Sequence, residues 1–321
     1  MAGDGEFDFI RRHLVPLSEG DPVALGLTDD AALLDPAPGE SLVLACDTLI
    51  AGVHFRDKDT PQTVASRALR SNLSDLAAMG ASPRHYLAAL SWPRSLDAKW
   101  REAFLAGLHR EQSRFGLALV GGDTTATPGP LTISLTLIGA VPSGAALTRS
   151  GACAGEDVWI SGQIGDGFLG LMAAETGAES LAECLIRYTA PEPRLALGEA
   201  LRGVASSAID ISDGLIADLG HIARTSGCGL DIEIDAVPLS SAGSAWLASP
   251  EGDVLRLLAG GDDYELAFTA APGDRARIDA IGAGLDLPLT RIGRVAEGSG
   301  IQLRNGLGEV VAPDRGGFTH F

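Results

Sequence analysis

The spacing of apolar and polar residues divides the chain into short strands and amphipathic helices. Residues 7–14 read as a short amphipathic helix, and Ala31-Ala-Leu-Leu34 as a strand entered from the turn at 26–30. Residues 41–50 read as a clear strand whose apolar run, Leu42 to Cys46, ends at Asp47, with a loop at Gly52-Val-His-Phe55. Thr60-Pro61 offers a cap and a proline at the first helical position, so a helix is expected to about Met79, with Gly80 as its stop. A strand at 85–92, a helix at 97–115 closed by Gly116, and a strand at 117–120 ending in Gly121-Gly-Asp-Thr-Thr125 follow, then a long alternating strand at 131–141. A glycine-rich stretch from Thr148 to Gly155 separates a second half. There the pattern gives a strand at 157–161, helices near 168–175 and after Pro193, a strand ending near Ile209 and a helix after Asp213-Gly214. It closes with a strand at 230–234, a second Gly-Gly-Asp at 260–262 leading into another strand, a helix near 274–281, and strands near 290–295 and 301–304. Alternating and paired strands and helices of this kind predict an α/β (α+β) fold in two domains, 1–147 and 148–321.

Two patterns carry candidate chemistry. In Ile209-Asp-Ile-Ser-Asp-Gly-Leu215, Asp210 and Ser212 alternate with isoleucines and share one face. Asp213-Gly214 then fits a helix start before the apolar spacing Leu215, Ile216, Leu219 and Ile222. Two carboxylates and a hydroxyl at a strand-to-helix corner suit a cation that itself holds an anion. An N-cap Asp beside a strand-end Asp explains the same residues equally well. On the first long helix Arg67, Ser71, Asn72 and Asp75 form one polar stripe, either solvated or facing a site.

Composition narrows the choice. An apolar fraction of 45% over 321 residues suffices for two cores. A net charge of −18 without a basic run argues against nucleic acid or an anionic membrane as partner. Lys58 and Lys99 are the only lysines, so a lysine-based phosphate site is nearly excluded. Four scattered cysteines without a C-x-x-C, no signal-peptide pattern, and no apolar run near the ~20 residues of a membrane span predict a reduced, cytoplasmic protein.

Gly165-Asp-Gly-Phe-Leu-Gly170 matches G-x-G-x-x-G after a strand, but no second parallel strand with an acid at its end follows, which disfavours a dinucleotide site. The P-loop pattern is absent, and an EF-hand register from Asp210 fails at Gly214 and His221. What remains is a set of acids at strand ends and loops: Asp29-Asp30, Asp47, Asp75, Asp123, Asp210, Asp213 and Asp262-Asp263. Oxygen donors select a hard cation, Mg²⁺ in particular, and so many carboxylates converging would require several divalent ions. Neighbouring glycines let the backbone approach phosphate. The pattern points to a Mg²⁺–nucleotide site.

These motifs resemble the thiamine-monophosphate kinase family, within the superfamily of aminoimidazole ribonucleotide synthetase, selenophosphate synthetase and the hydrogenase-maturation dehydratase. The resemblance covers essentially the whole chain. It is carried by Thr28-Asp-Asp-Ala-Ala32, Asp47 to Phe55, Ser71 to Ala81, Gly121-Gly-Asp-Thr124, Thr148-Arg-Ser-Gly151, Ile209 to Leu215, Gly261 to Leu266 and Gly317-Phe-Thr-His-Phe321. It implies transfer of the ATP γ-phosphate to thiamine monophosphate, giving thiamine diphosphate and ADP. It further implies Mg²⁺ ligands at Asp30, Asp47, Asp75, Asp123, Asp210 and Asp213, with the backbone carbonyl of Cys46 as a further one. Asp75, Asp210 and Asp213 are the expected catalytic core of that set. Gly122, Asp123, Arg149 and Ser212 would meet ATP, and His54, Asp262 and Phe318 would hold thiamine monophosphate. The implied assembly is a homodimer, with a mixed N-terminal domain whose sheets form a barrel across the dimer and an α/β C-terminal domain. Three departures stand out: Thr28 in place of a common glycine, Ala45-Cys46 in place of two hydroxyl residues, and Asp262 in place of Glu. None removes an acidic ligand. The competing readings are another ATP-dependent enzyme of the superfamily and a non-catalytic Mg²⁺–nucleotide binder.

Overall fold

The computed structural model describes residues 6–312 and Gly317. One compact unit is built from the chain up to Leu76 with Ser82–Gly144, and a second from Ala77–Ala81 with the chain from Ala145 onward.

The first unit starts with α1 (Glu6–Phe9), a π turn at Ile10–Leu14 and two 3₁₀ segments ending at Leu27. The strand expected at Ala31–Leu34 does not form. The Leu33 N–H bonds to Val23 O at 3.2 Å, and its side chain is 69% exposed, so neither ladder nor core holds this stretch extended. Four strands follow: β1 (Glu40–Ile50), β2 (Ser82–Pro93), β3 (Ala118–Thr127) and β4 (Thr132–Pro142), in sheet order β1-β4-β2-β3. Only β2 and β3 are parallel, as the intervening helix between them requires. The sheet is open, with β1 and β3 at its edges, and Leu44 on β1 is 65% exposed. Strand β3 runs straight through the first Gly-Gly-Asp, where a strand end was expected at Val120. Gly122, at φ +153°, allows this: a Cβ there would stand 2.0 Å from Ala88 O on β2. Helices α2 (Pro61–Ala78) and α3 (Ala98–Phe115) have the anticipated local signals. The Thr60 hydroxyl accepts from Thr63 N–H, Asp97 accepts from Trp100 N–H, and Gly116 closes α3 in the left-handed region.

The second unit holds a seven-stranded sheet. In chain order its elements are β5 (Asp157–Ser161), α4 (Asp166–Thr176), α5 (Ala182–Thr189), α6 (Leu195–Leu201), β6 (Ala205–Asp210), α7 (Leu215–Ser226), β7 (Gly229–Glu233), α8 (Ser241–Leu247), α9 (Val254–Ala259), β8 (Leu266–Ala270), α10 (Arg275–Leu285), β9 (Leu289–Ala296), β10 (Gly300–Arg304) and β11 (Val310–Val311). Strand order is β11-β10-β7-β9-β5-β8-β6, with β7–β10 the one parallel pair. Neighbouring residues of the strands serve different cores. Ile160 and Ile209 pack with Leu219 and Ile222 of α7, while Trp159 and Phe268 pack with Leu197, Leu201 and Ala77. Burial on both faces explains why the middles of β5 and β8, Val158-Trp-Ile160 and Leu266-Ala-Phe268, are apolar without alternation. Helices α5, α8 and α9 were not anticipated. Each is eight residues or fewer. Among the described residues no helix is long and apolar enough to cross a membrane.

Candidate functional site

Strand β6 ends at Asp210, which is 4% exposed, and the chain turns through Ser212–Gly214 into α7. The helix start is not capped by Asp213. Gly214 occupies the N-cap position at φ +118°, with no capping side chain. The capping carboxylate comes from inside the helix. Asp218 Oδ2 accepts the backbone N–H groups of Ser212, Asp213 and Gly214 at 3.0, 3.1 and 3.1 Å. Burial, and then the nearby charges of Asp210 and Asp213, push the Asp218 carboxyl up to about 8, against the pull of those N–H groups. Three carboxylates therefore crowd this corner. The sequence reading missed Asp218, although a signal exists: positions 215, 218, 219 and 222 form one helical stripe, and an acid within an apolar stripe needs a buried partner.

The second Gly-Gly-Asp lies against this corner. Asp262 N–H donates to Ser212 O at 2.9 Å and Tyr264 N–H to Ile211 O at 2.7 Å, while Ile211 N–H donates to Glu265 O at 2.8 Å. A Cβ at Gly261 would stand 2.2 Å from Ser212 O, so only glycine permits the approach. Asp262 and Tyr264 adopt φ of +68° and +52°, a conformation costing non-glycine residues about 1–3 kcal/mol each. The Tyr264 hydroxyl donates to Asp262 Oδ1 at 3.0 Å. Two carboxyl groups, the half-buried Asp263 and the buried Glu265, hold the loop from behind. Asp263 accepts the N–H groups of Gly165 and Gly167, both at 2.9 Å, and its burial holds its carboxyl well above the ordinary range. Glu265 is gripped by both ends of the Arg194 guanidinium and by the Ser161 hydroxyl at 2.6 Å. The Asp263 contact also explains the G-x-G-x-x-G match. The N–H groups at the N-terminus of α4 are already taken by the protein's own Asp263 carboxyl, and a Cβ on Gly167 would lie 2.4 Å from Asp262 backbone atoms. No room is left there for a pyrophosphate.

In the first unit the polar stripe of α2 is not a solvated face. Arg67, Ser71 and Asn72 are buried and Asp75 is half-buried. Asn72 Oδ1 accepts Asp47 N–H at 3.0 Å, and its Nδ2 donates to Ala68 O, so one buried amide ties β1 to the helix turn that carries Asp75. Arg67 donates to His54 O at 3.2 Å. His54 Nδ1 accepts Ile50 N–H at 3.1 Å, which places the proton of the neutral ring on Nε2.

The remaining candidates sit apart from these contacts. Asp30 is exposed beyond Thr28, whose hydroxyl bonds Leu25 O. Cys46 is exposed, its sulfur accepting from Thr136 at 3.4 Å. Gly122 and the exposed Asp123 lie in β3 beside Ala88 and Ala89. Arg149 is exposed, with its carbonyl bonded by Thr225 at 3.0 Å and Ser226 at 3.3 Å. Burial, and then the charges of Arg149 and Arg224, hold the His221 imidazole below its ordinary range, which sets Arg149 near α7. Phe318 lies outside the described residues. The structure thus joins Asp47 to Asp75 through Asn72, and Asp210, Ser212 and Asp213 to Asp262 through the backbone. Among the described residues no three His, Cys, Asp or Glu side chains come close enough to hold a metal ion by themselves. The donor set fits a cation such as Mg²⁺, which uses one or two carboxylates and takes its other ligands from water and phosphate. The mutual repulsion felt at Asp218 is what such a cation would relieve.

Comparison with known proteins agrees in extent with the motifs. The family model for AIR synthase related protein, N-terminal domain, matches residues 28–141, and that for the C-terminal domain matches residues 154–305. The chain is 42% identical to a thiamine-monophosphate kinase of Caulobacter vibrioides over 320 residues, spanning 98% of this chain and 90% of that protein. A crystal structure of thiamine-monophosphate kinase from Stenotrophomonas maltophilia K279a superimposes with a TM-score of 0.85 at 41% identity, over 96% of this chain and 98% of that chain. A structure of AaThiL complexed with AMPPCP and TMP superimposes with a TM-score of 0.79 at 29% identity, over 99% and 97% of the respective chains.

Proposed function

Because this chain belongs to the thiamine-monophosphate kinase family of AIR synthase-related proteins, we propose that it phosphorylates thiamine monophosphate with ATP, giving thiamine diphosphate and ADP. The observation that carries this reading is 42% identity to a thiamine-monophosphate kinase over nearly the full length of both chains, with every expected acidic ligand present. The attacking group is a phosphate monoester with a second pKa of about 6, so at neutral pH it is already largely ionised and no general base is required. What the chain must supply is alignment and charge compensation.

Asp30, Asp47, Asp75, Asp123, Asp210, Asp213 and the Cys46 carbonyl would hold Mg²⁺. Bound Mg²⁺ would neutralise the phosphates of both substrates, in place of the lysine that this chain lacks in its glycine loops. Gly122 offers ATP a backbone without a side chain, Ser212 a hydroxyl and Arg149 a guanidinium. On the substrate side, His54 would present its Nε2 proton to a phosphate oxygen. Asp262 and Phe318 would meet the thiamine moiety, the aspartate opposite its positive charge. A cytoplasmic homodimer completes the reading, supported by the open sheet with exposed Leu44 on its edge strand.

Phosphorus NMR of ATP with thiamine monophosphate, with and without Mg²⁺, tests the proposal. Thiamine diphosphate and ADP resonances growing together only with Mg²⁺ are expected. ADP and inorganic phosphate without thiamine diphosphate would refute it, and nucleotide binding without turnover would favour a non-catalytic binder.

A further inference from the structure

Asp218 makes no expected contact with either substrate, yet it organises the corner that does. We propose that Asp218 is a positioning residue: by gathering the amides of residues 212–214 it sets how the Asp210 and Asp213 carboxylates and the Ser212 hydroxyl are presented to Mg²⁺ and nucleotide. The inference rests on the reading of this corner as a Mg²⁺–nucleotide site.

Three consecutive N–H groups converging on one oxygen form the concavity with which a backbone ordinarily holds a phosphate. Here Asp218 Oδ2 fills it, at 3.0 to 3.1 Å from each donor. Those amides are therefore engaged, and nucleotide recognition at this corner runs through side chains and metal. Capping from position 218 also relieves Asp213, the residue that would otherwise face the helix start, of that duty. The opposite edge of the same segment is held too. The carbonyls of Ile211 and Ser212 accept the amides of Tyr264 and Asp262. One stretch of backbone, 211–214, is thus clamped by Asp218 on its donor side and by the Asp262 loop on its acceptor side. Asp218 is 3% exposed, so its grip is shielded from water.

The test compares Asp218→Ala and Asp218→Asn with the wild type. Binding of a non-hydrolysable β,γ-methylene ATP analogue is followed by calorimetry with Mg²⁺ and with EDTA, and amide hydrogen exchange is followed at 212–214. Residues supporting metal ligands typically matter by about 10–100-fold. Asp218→Ala should lose at least about tenfold in Mg²⁺-dependent affinity and expose the three amides, with EDTA binding unchanged. Asp218→Asn keeps an acceptor oxygen and should stay within about threefold of wild type with the amides protected. A folded alanine variant with wild-type affinity overturns the proposal. If the alanine variant does not fold, the asparagine variant decides. Affinity and amide protection that persist together or fail together uphold the proposal, and affinity and protection that part company overturn it. Wild-type binding that ignores Mg²⁺ would instead tell against the site reading itself.

Discussion

Replacing Asp263 should weaken the second unit far more than an ordinary loop substitution. Asp263 is half-buried, and its carboxyl accepts two N–H groups at 2.9 Å from Gly165 and Gly167, themselves buried at the start of α4. Alanine would orphan both donors, at about 1–3 kcal/mol each. Relief from burying the carboxyl offsets part of this, so a net loss of roughly 2–5 kcal/mol follows. Asparagine keeps one acceptor oxygen but turns an amine toward the second N–H, so it should cost about half as much, roughly 1–3 kcal/mol. Burial holds the folded carboxyl above its unfolded value of about 3.9. The stabilisation from Asp263 is therefore complete below that value and eroded as pH rises toward the folded one. The penalty for Asp263→Asn should accordingly be larger at pH 5 than at pH 8. Urea unfolding followed through Trp159 and Trp246, both in this unit, measures these differences. A loss below about 1 kcal/mol for alanine, or asparagine costing more than alanine, would refute the capping argument.

Two further outcomes are expected. Asp210→Asn or Asp75→Asn should abolish turnover while leaving the thermal midpoint near wild type. Steady-state kinetics at saturating Mg²⁺ check this, and a near-normal kcat in either variant would remove it from the metal set. Asp157, bonded to Arg275 at 2.6 and 2.8 Å and near Arg291, is held below the usual carboxylate range chiefly by the Arg275 hydrogen bonds. Its stabilisation is present above its unfolded value of about 3.9 and lost as pH falls through the folded one, so Asp157→Asn should flatten the acid limb of a stability–pH curve. An unchanged acid limb would show that the pair contributes nothing.

Much of the architecture was legible because its signals are local. The Thr60-Pro61 start and the Asp97 and Gly116 ends of two helices act within a turn of where they stand in sequence. The Ala31–Leu34 strand failed because an apolar run says nothing about whether a partner strand exists. The extension of β3 past Val120 was hidden because Gly122 reads as a loop residue until Ala88 O is set against it. The site divides in the same way. The acids were legible as a class, but sequence treats Asp262 and Asp263 as a pair, and Asp213 and Asp218 as unrelated. A long-range contact reverses the first judgement and a local one, four to six residues back along the chain, the second. Asp263 faces a helix start 96 to 98 residues away and Asp218 faces the corner behind it, so each commits its oxygens to the protein's own amides. A formal net charge of −18 then overstates the negative charge offered to cations, because burial raises some of the acids, which serve the fold, toward their neutral form. The distinction is chemical. An acid whose oxygens are filled by backbone donors resists replacement by alanine through stability. An acid that serves a metal resists replacement by asparagine through activity, and those two readouts separate the classes residue by residue.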